Sequence, residues 1–189
     1  MGIYTVRRQA VFLDRDGVLN RAFVRNGKPY PPSSLEELEM LPGVGEACHD
    51  LRRAGFLLIM VTNQPDVARG RQTRRVVKAI NRVLSDRLSL DDIKVCYHDN
   101  SDNCKCRKPE PGLLLEAAQE WKIDLSGSFV VGDRWKDIEA GRRAGCSTVF
   151  VEYGYSEVRP EIFDKLATSL TDAVDWILQK TSLPEGEQE

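Results

Sequence analysis

The stretch AVFLDRDG, residues 10–17, decides the fold, because four apolar residues lead directly into two aspartates one position apart. Such a run is typical of a parallel strand that is buried on both faces. In open α/β folds, ligands bind at the carboxyl ends of these strands. Because side chains at i and i+2 of an extended chain point the same way, Asp14 and Asp16 can address one ligand while Arg15 points elsewhere. The pattern predicts paired carboxylates at the functional edge of a parallel sheet.

Polar residues also follow two other apolar runs and a cysteine-rich loop. They are Thr62, Asn63 and Gln64 after the apolar run 57–61, Asp133 after the apolar run 128–131 and Gly132, and Lys108 after a cysteine-rich loop. A D-x-D tripeptide alone is also frequent in turns and calcium loops. The convergence of several polar segments on one sheet edge favours catalysis.

Length and composition fit a single domain that acts on a small molecule. The chain has 189 residues, of which 41% are hydrophobic, and we expect one domain over residues 1–181 with a flexible polar tail at 182–189. The net charge is −2, and acidic and basic residues are interspersed. This distribution predicts no nucleic-acid partner and no attraction to an anionic membrane.

The apolar runs also bear on location. All of them are far shorter than the roughly 18 residues of a membrane-spanning helix, and residues 1–6 lack the apolar core of a signal peptide. We therefore expect a cytoplasmic protein with no membrane partner, and a monomer.

A cysteine-rich loop spans residues 96–106. It contains three thiols and one imidazole, from Cys96, His98, Cys104 and Cys106, which are the usual ligands of a closed tetrahedral zinc site. Without a secretory signal, thiols are expected rather than disulfides. The alternative is a chance cluster of small buried cysteines beside a surface histidine. A zinc ion with four protein ligands cannot activate water, so its predicted role is to fold the loop.

Strands alternate with helices along the chain. The predicted strands are residues 9–14, 56–61, 93–97, 128–132 and 147–152, and the predicted helices are residues 43–54, 72–89, 111–122, 135–145 and 170–180. Asn26-Gly27 predicts a hairpin turn within a flap. The alternation predicts an α/β fold in three layers, with a central parallel sheet covered on both faces. The segment between Asp16 and Thr62 has room for this flap but not for a large cap, so the site should be open.

Four short motifs carry a family resemblance. They are DRDGVLN at 14–20, VTNQ at 61–64, RKP at 107–109 and GDRWKD at 132–137. In order and spacing they resemble the motifs of the haloacid dehalogenase-like (HAD) phosphatase superfamily. VARG at 67–70 and the Cys-x-His and Cys-x-Cys-Arg-Lys-Pro patterns more closely resemble the family of D-glycero-D-manno-heptose-1,7-bisphosphate 7-phosphatase and histidinol-phosphatase. The resemblance covers residues 10–153 and implies a Rossmann-like HAD fold.

The resemblance implies roles for the acidic residues. Asp14 would be the nucleophile that forms an aspartyl-phosphate, and Asp16 would protonate the leaving group and then deprotonate water. A catalytic Mg²⁺ would be bound by Asp14, Asp133 and the backbone carbonyl of Asp16. Asp137, one helical turn from Asp133, would support these ligands from behind.

It also implies roles for Thr62 and Lys108. Thr62 would hydrogen-bond a phosphoryl oxygen, helped by the backbone N–H groups of Asn63 and Arg15, and Lys108 would neutralise negative charge. Other interpretations stay open at this point. Thr62 could cap a helix, Lys108 could belong to a solvated basic pair with its neighbour, and Asp133 could be a turn residue.

Substrate recognition is assigned to a separate set of residues. The candidates are Asn20, Asn63, Gln64, Arg107 and Arg134. The predicted function is a Mg²⁺-dependent phosphatase that acts on a phosphorylated metabolite, removing the 7-phosphate of D-glycero-D-manno-heptose 1,7-bisphosphate. One alternative is a histidinol-phosphate or other sugar or polyol phosphatase, because the short metal loop resembles the histidinol-phosphatase type and Pro65-Asp66 after Gln64 departs from the Ser-Gly typical of the heptose enzymes. A second alternative is a non-catalytic, zinc-stabilised module that binds a phosphorylated ligand.

Overall fold

The computed structural model describes residues 8–182, and the expected tail lies outside this range except for its first residue. In chain order the elements are β1 (Ala10–Leu13), β2 (Phe23–Arg25), β3 (Lys28–Tyr30), α1 (Val44–Arg53), β4 (Leu57–Asn63), α2 (Arg74–Leu88), β5 (Asp92–Cys96), a short 3₁₀ helix (Asn100–Asp102), α3 (Gly112–Trp121), β6 (Phe129–Gly132), α4 (Trp135–Ala144), β7 (Ser147–Val151), β8 (Lys165–Ala167) and α5 (Leu170–Ser182).

Six of these strands form one parallel sheet in the order β5-β4-β1-β6-β7-β8. Chain order therefore reverses direction between β1 and β6, which are neighbours in the sheet. Ligands of open α/β sheets bind at the carboxyl ends of the strands beside such a switch point. The β1 end, where Asp14 begins, lies at this point.

Alternate side chains of each central strand enter two separate apolar cores. On one face, Leu13 and Met60 pack with α1, α2 and α5. On the other face, Phe12 and Ile59 pack with α3 and α4. A strand buried on both faces must be apolar throughout, which is why the sequence shows continuous runs rather than alternation. The predicted three-layer α/β arrangement is confirmed.

The predicted hairpin is also present. Strands β2 and β3 pair antiparallel, and Asn26 and Gly27 between them have φ of 51° and 72°. Positive φ at both central positions suits a two-residue hairpin turn. The backbone N–H of Ser156 donates to the carbonyl of Gly27 at 2.7 Å, so the hairpin tip rests on the loop after β7.

Two details differ from the sequence prediction. β8 was not predicted, because it is a three-residue edge strand with only Ala167 buried and therefore has no apolar run. β4 extends beyond residue 61 through Thr62 and Asn63, so these polar residues continue the ladder with β5 instead of following it. Among residues 8–182, no helix combines the length and the apolar character needed to cross a membrane.

Candidate active site

The carboxyl ends of β1, β4 and β6 surround a cavity of about 230 Å³. Asp14 and Asp16 both line it, while Arg15 between them does not. The backbone N–H of Asp14 donates to the carbonyl of Val131 at 3.0 Å, which continues the pairing of β1 with β6 for one more residue. This continuation holds Asp14 in the extended conformation that aims alternate side chains at the cavity.

A buried lysine joins three elements at the floor of the cavity. Lys108 is 2% exposed, and its ammonium donates to Asp14 Oδ1 at 2.5 Å and to the carbonyl of Val61 at 2.8 Å. It also pairs with Asp137 Oδ1 at 2.5 Å. An ammonium has three N–H donors, so all of them are satisfied. Burial disfavours its charge, but Asp137 and Asp14 together raise the pKa of Lys108. Lys108 is therefore a buried cation, which excludes the solvated-pair interpretation.

The backbone of this lysine is fixed by Asn63. The Asn63 side chain donates to the Lys108 carbonyl at 3.0 Å and accepts from the Lys108 N–H at 3.1 Å. This reciprocal pair links the end of β4 to the loop that carries Lys108. Asn63 also lines the cavity.

Three buried carboxylates meet beside this lysine. One oxygen each of Asp14, Asp133 and Asp137 lie within 4.8 Å of one another. Both oxygens of Asp133 are buried and make no hydrogen bond of normal geometry among the described residues, although the Tyr155 hydroxyl lies near enough to lower the pKa of Asp133. A buried carboxylate with no partner is costly, and hard oxygen donors are the ligands that Mg²⁺ prefers. The donor set therefore fits a magnesium ion, and Asp133, although it lies at a bend, is buried beside two other carboxylates.

Burial and the neighbouring carboxylates raise the pKa values of Asp14 and Asp133. Burial raises the pKa of Asp14 to about 7, with Lys108 opposing the shift and Asp137 and Asp16 adding to it. Burial likewise raises the pKa of Asp133 well above its usual range, and Asp14 and Asp137 raise it further. Gly17 has φ of 95°, and any side chain there would overlap the Asp133 carboxylate. The glycine lets the backbone after Asp16 approach this cluster closely.

Asp16 is held from several sides. Its Oδ1 accepts from Asn20 Nδ2 at 3.0 Å and from Arg15 Nε at 3.1 Å. Its Oδ2 accepts from Arg15 Nη2 and from Gln64 Nε2, each at 2.9 Å. Gln64 also donates to Thr62 Oγ1 at 2.9 Å. The Asp16 side chain keeps 16% of its surface exposed, toward the cavity that it lines.

Three residues that the sequence assigned to substrate or phosphate binding are almost completely buried. Asn20 is fully buried behind Asp16 and does not line the cavity. Gln64 and Thr62 line it but are only 2% and 1% exposed. Thr62 belongs to β4, so the helix-cap interpretation is wrong. The N-cap of the next helix, α2, is Thr73.

The outer wall of the cavity carries basic side chains. Arg107, Arg134 and Lys136 all line it. Arg134 forms a paired contact with Glu157, from Nε at 2.8 Å and from Nη2 at 2.6 Å. Arg107 donates to Asn100 Oδ1 at 2.9 Å and to the carbonyl of His98 at 3.2 Å. Both arginines proposed from the sequence therefore face the cavity, and Lys136 and Glu157 were not predicted.

The four residues of the cysteine-rich loop come together as one cluster. The thiol sulfur of Cys106 lies 3.3 Å from those of Cys96 and Cys104, which are 3.8 Å apart. His98 Nδ1 lies 3.6 Å from Cys96 Sγ and 3.2 Å from Cys106 Sγ. Tetrahedral zinc with ligands at about 2.0–2.3 Å needs donors separated by about 3.3–3.8 Å. The donor types and their separations fit a zinc ion.

Comparison with known proteins agrees with this geometry. A family model described as HAD-hydrolase-like matches residues 105–173. A D-glycero-beta-D-manno-heptose-1,7-bisphosphate 7-phosphatase of Rhodopseudomonas palustris is 36% identical over 151 residues, 74% of this chain and 81% of that protein. Its namesake in Escherichia coli K12 is 33% identical over 190 residues, 94% and 92% of the two chains.

A solved structure is also similar. The D,D-heptose 1,7-bisphosphate phosphatase from B. bronchiseptica, complexed with magnesium and phosphate, gives a TM-score of 0.78 at 30% identity, covering 91% of this chain and 99% of that one. The fold, the site and these relatives define a haloacid dehalogenase-like phosphatase, which is a phosphoric monoester hydrolase. Within that class, the chain belongs to the family of the D-glycero-beta-D-manno-heptose-1,7-bisphosphate 7-phosphatases.

Proposed function

We propose that this protein removes the 7-phosphate of D-glycero-D-manno-heptose 1,7-bisphosphate through a phosphorylated Asp14. The observation that carries the proposal is the buried lysine that contacts Asp14 at the switch point of the sheet, next to the buried carboxylate of Asp133. The names of relatives at 33–36% identity supply the substrate. The crystal structure of a relative with magnesium and phosphate supports the cation.

In the first step, Asp14 attacks phosphorus in line while the sugar oxygen departs. Asp14 Oδ1 is occupied by Lys108, so the other carboxylate oxygen is available to attack. Asp16 lines the same cavity and delivers a proton to the leaving oxygen. Covalent capture of the phosphoryl group divides one difficult displacement into two easier ones.

In the second step, water hydrolyses the aspartyl-phosphate. Asp16, now ionised, removes a proton from the attacking water, which restores its acid form for the next cycle. Thr62 at the end of β4 and the backbone N–H groups near it donate to phosphoryl oxygens. Lys108 balances the negative charge that builds up on the phosphoryl group and on Asp14.

The two metals have different proposed roles. Asp14 and Asp133, with Asp137 beside them, would hold a Mg²⁺ ion, and the backbone carbonyl of Asp16 is the further ligand that the family resemblance implies. The ion would supply the charge neutralisation that lets a carboxylate approach a phosphate dianion. Cys96, His98, Cys104 and Cys106 would hold a zinc ion, which would fix the loop that precedes Arg107.

Substrate recognition is proposed to lie at the cavity wall. The flap residues 28–31 line one side, and Arg107, Arg134 and Lys136 line the other. A sugar carrying a second phosphate brings extra negative charge, which these cations can bind. Asn63 and Gln64, at the floor, orient Lys108 and Asp16. We assign Asn20 to holding Asp16 instead of to substrate.

We propose a cytoplasmic monomer with one catalytic domain, as the length and composition of the chain predict. The mixed surface charge provides no basis for a nucleic-acid partner.

The decisive experiment measures phosphate release from a panel of phosphate esters in excess Mg²⁺. The panel contains heptose 1,7-bisphosphate, heptose 7-phosphate, fructose 1,6-bisphosphate and histidinol phosphate. We expect the highest kcat/KM with heptose 1,7-bisphosphate. A higher value with histidinol phosphate would move the assignment to the alternative substrate, and no release from any ester would favour the non-catalytic phospho-ligand module.

A further inference from the structure

Arg15 is fully buried although it lies between two cavity-lining aspartates. It is 0% exposed, and its guanidinium forms a side-on fork with Asp16, through Nε at 3.1 Å and Nη2 at 2.9 Å. A buried ion pair is seldom more stable than apolar residues of the same volume, because both charges lose hydration. Stability alone therefore gives no reason for a charged pair at this position.

The third donor of Arg15 reaches a helix far away in the sequence. Its Nη1 donates to Asn81 Oδ1 at 2.9 Å, across 66 positions of the chain. Asn81 lies on α2 and is 4% exposed. Its neighbours on the buried face of that helix are Val77, Ile80, Leu84 and Leu88.

Asn81 thus interrupts an apolar stripe at a position where helical periodicity calls for a hydrophobic residue. Buried polar groups that break the local pattern are found where a specific geometry is needed. Among residues 8–182, the Arg15 contact is the one hydrogen bond made by the Asn81 side chain. Its place on α2 therefore serves to fix the guanidinium.

The guanidinium in turn fixes the Asp16 carboxylate. The fork contacts both oxygens of Asp16, and a planar fork restricts the carboxylate plane as well as its position. Asn20 and Gln64 complete the set of donors, one on each oxygen. The Asp16 carboxyl group must first donate a proton to the leaving oxygen and then, as a carboxylate, accept one from water. Both transfers require the same fixed position and orientation of the group.

We propose that Arg15 and Asn81 are positioning residues that aim Asp16 at the leaving oxygen. The proposal rests on the proposed function, since it takes Asp16 as the acid of the first step. It means that Asn81 on α2, a residue outside the four motifs, affects proton transfer by Asp16 through Arg15. A residue that only stabilises the fold would not affect one leaving group more than another.

The test compares two aryl phosphates that differ in leaving group. Departure of phenol from phenyl phosphate needs a proton, whereas departure of p-nitrophenol needs it much less. The value of kcat/KM reports the steps up to loss of the leaving group, so the ratio of the two values measures acid catalysis. In Asn81→Leu and in Arg15→Lys, we expect kcat/KM for phenyl phosphate to fall about tenfold more than for p-nitrophenyl phosphate. Arg15→Lys keeps the charge but loses the fork.

Leu84→Ala is the matched control, because Leu84 lies on the same buried face of α2 and has no polar atom that could hydrogen-bond to Arg15. We expect it to lower the melting temperature and to leave the ratio unchanged. Equal losses on both esters in Asn81→Leu and Arg15→Lys would overturn the proposal. So would a crystal structure of Asn81→Leu in which Arg15 and Asp16 keep their paired geometry.

Asp16→Asn separates this proposal from the function on which it rests. If Asp16→Asn leaves the ratio at its wild-type value, the acid role of Asp16 fails. If Asp16→Asn changes the ratio while Asn81→Leu and Arg15→Lys do not, the acid role stands and the positioning role fails.

Discussion

Lys136 on α4 and Arg107 after the cysteine-rich loop line the same side of the cavity, and no carboxylate within residues 8–182 forms a salt bridge with either. Burial lowers the pKa of Lys136, and Arg107 and Arg134 lower it further. Burial also lowers the pKa of Arg107. Two partly buried cations without a carboxylate partner form a place where an anion can be bound.

Lys136→Met is therefore expected to raise KM for heptose 1,7-bisphosphate about tenfold, because one charge-assisted contact is worth roughly 1.5–3 kcal/mol when buried and less when partly exposed. The value of kcat should stay within about twofold, since Lys136 does not touch Asp14 or Asp16. Steady-state kinetics with heptose 7-phosphate, which lacks the second phosphate, should show almost no change in KM. The exposed Lys78→Met is the control. Equal KM increases for both sugars would contradict a role in binding the second phosphate.

Asp14→Asn should abolish turnover while the fold persists. The amide has the same shape but is a far weaker nucleophile and a poorer cation ligand. Phosphate release should fall by more than about 1000-fold, and the circular dichroism spectrum should match the wild type. Asp175→Asn, an exposed substitution on α5, should retain full activity. Substantial turnover by purified Asp14→Asn would show that another group attacks phosphorus.

The sequence was sufficient to predict most of the sheet. Central strands such as β1 and β4 are buried on both faces, so their apolar runs stand out without any tertiary information. β8 could not be found this way, because Lys165 and Leu166 are partly or largely exposed and the strand exists only through its pairing with β7.

The site was predictable where its residues sit close together in the sequence. Asp14 and Asp16 share one strand end, and the side-chain alternation that places both at the cavity is a local property. The contact of Arg15 with Asn81 spans 66 positions, and that of Arg134 with Glu157 spans 23. Such partners depend on how helices and loops dock. For this reason the sequence did not predict the Arg15 contact with Asp16 or the Glu157 contact with Arg134, and Asn20 was assigned to substrate binding.

Magnesium should stabilise the protein more as the pH rises. Burial raises the pKa of Asp14 to about 7, above the usual value of about 3.9, so without metal the folded state binds more protons than the unfolded state between these values. Protonation therefore stabilises the metal-free fold below about pH 4, and this contribution is lost as the pH rises through about 7. Bound Mg²⁺ replaces the protons.

Thermal unfolding of protein dialysed free of Mg²⁺ measures this linkage. Its melting temperature should fall between pH 6 and pH 8. Addition of a saturating Mg²⁺ concentration, about 10 mM, should raise the melting temperature more at pH 8 than at pH 6. In Asp133→Asn, which removes one charge from the cluster, the fall should be smaller. A stabilisation by Mg²⁺ that is equal at both pH values would contradict cation binding by these carboxylates.

Loss of zinc should weaken substrate binding without changing the requirement for Mg²⁺. Arg107 directly follows Cys106, and its guanidinium is held by Asn100 and by the carbonyl of His98, both within the same loop. Loosening the loop therefore removes two contacts that aim this arginine into the cavity. Asp14, Asp133 and Asp137 lie outside the loop. Lys108 links two of them to it but is also held by Asn63 and Val61 of β4, so we expect the magnesium site to persist.

Cys104→Ser tests this coupling, because a hydroxyl is a poor zinc ligand of nearly the same size as the thiol. We expect zinc content to fall from about one ion per chain toward zero, the melting temperature to fall, and KM for the bisphosphate to rise at least about fivefold. The half-saturating Mg²⁺ concentration should stay within about twofold.

Cys146→Ser, at a buried cysteine outside the loop, should lower stability without altering zinc content. Wild-type protein that contains no zinc when purified without chelators would refute the metal site. A zinc-free variant with a normal KM would not contradict the zinc site of the wild type, but it would show that other contacts position Arg107.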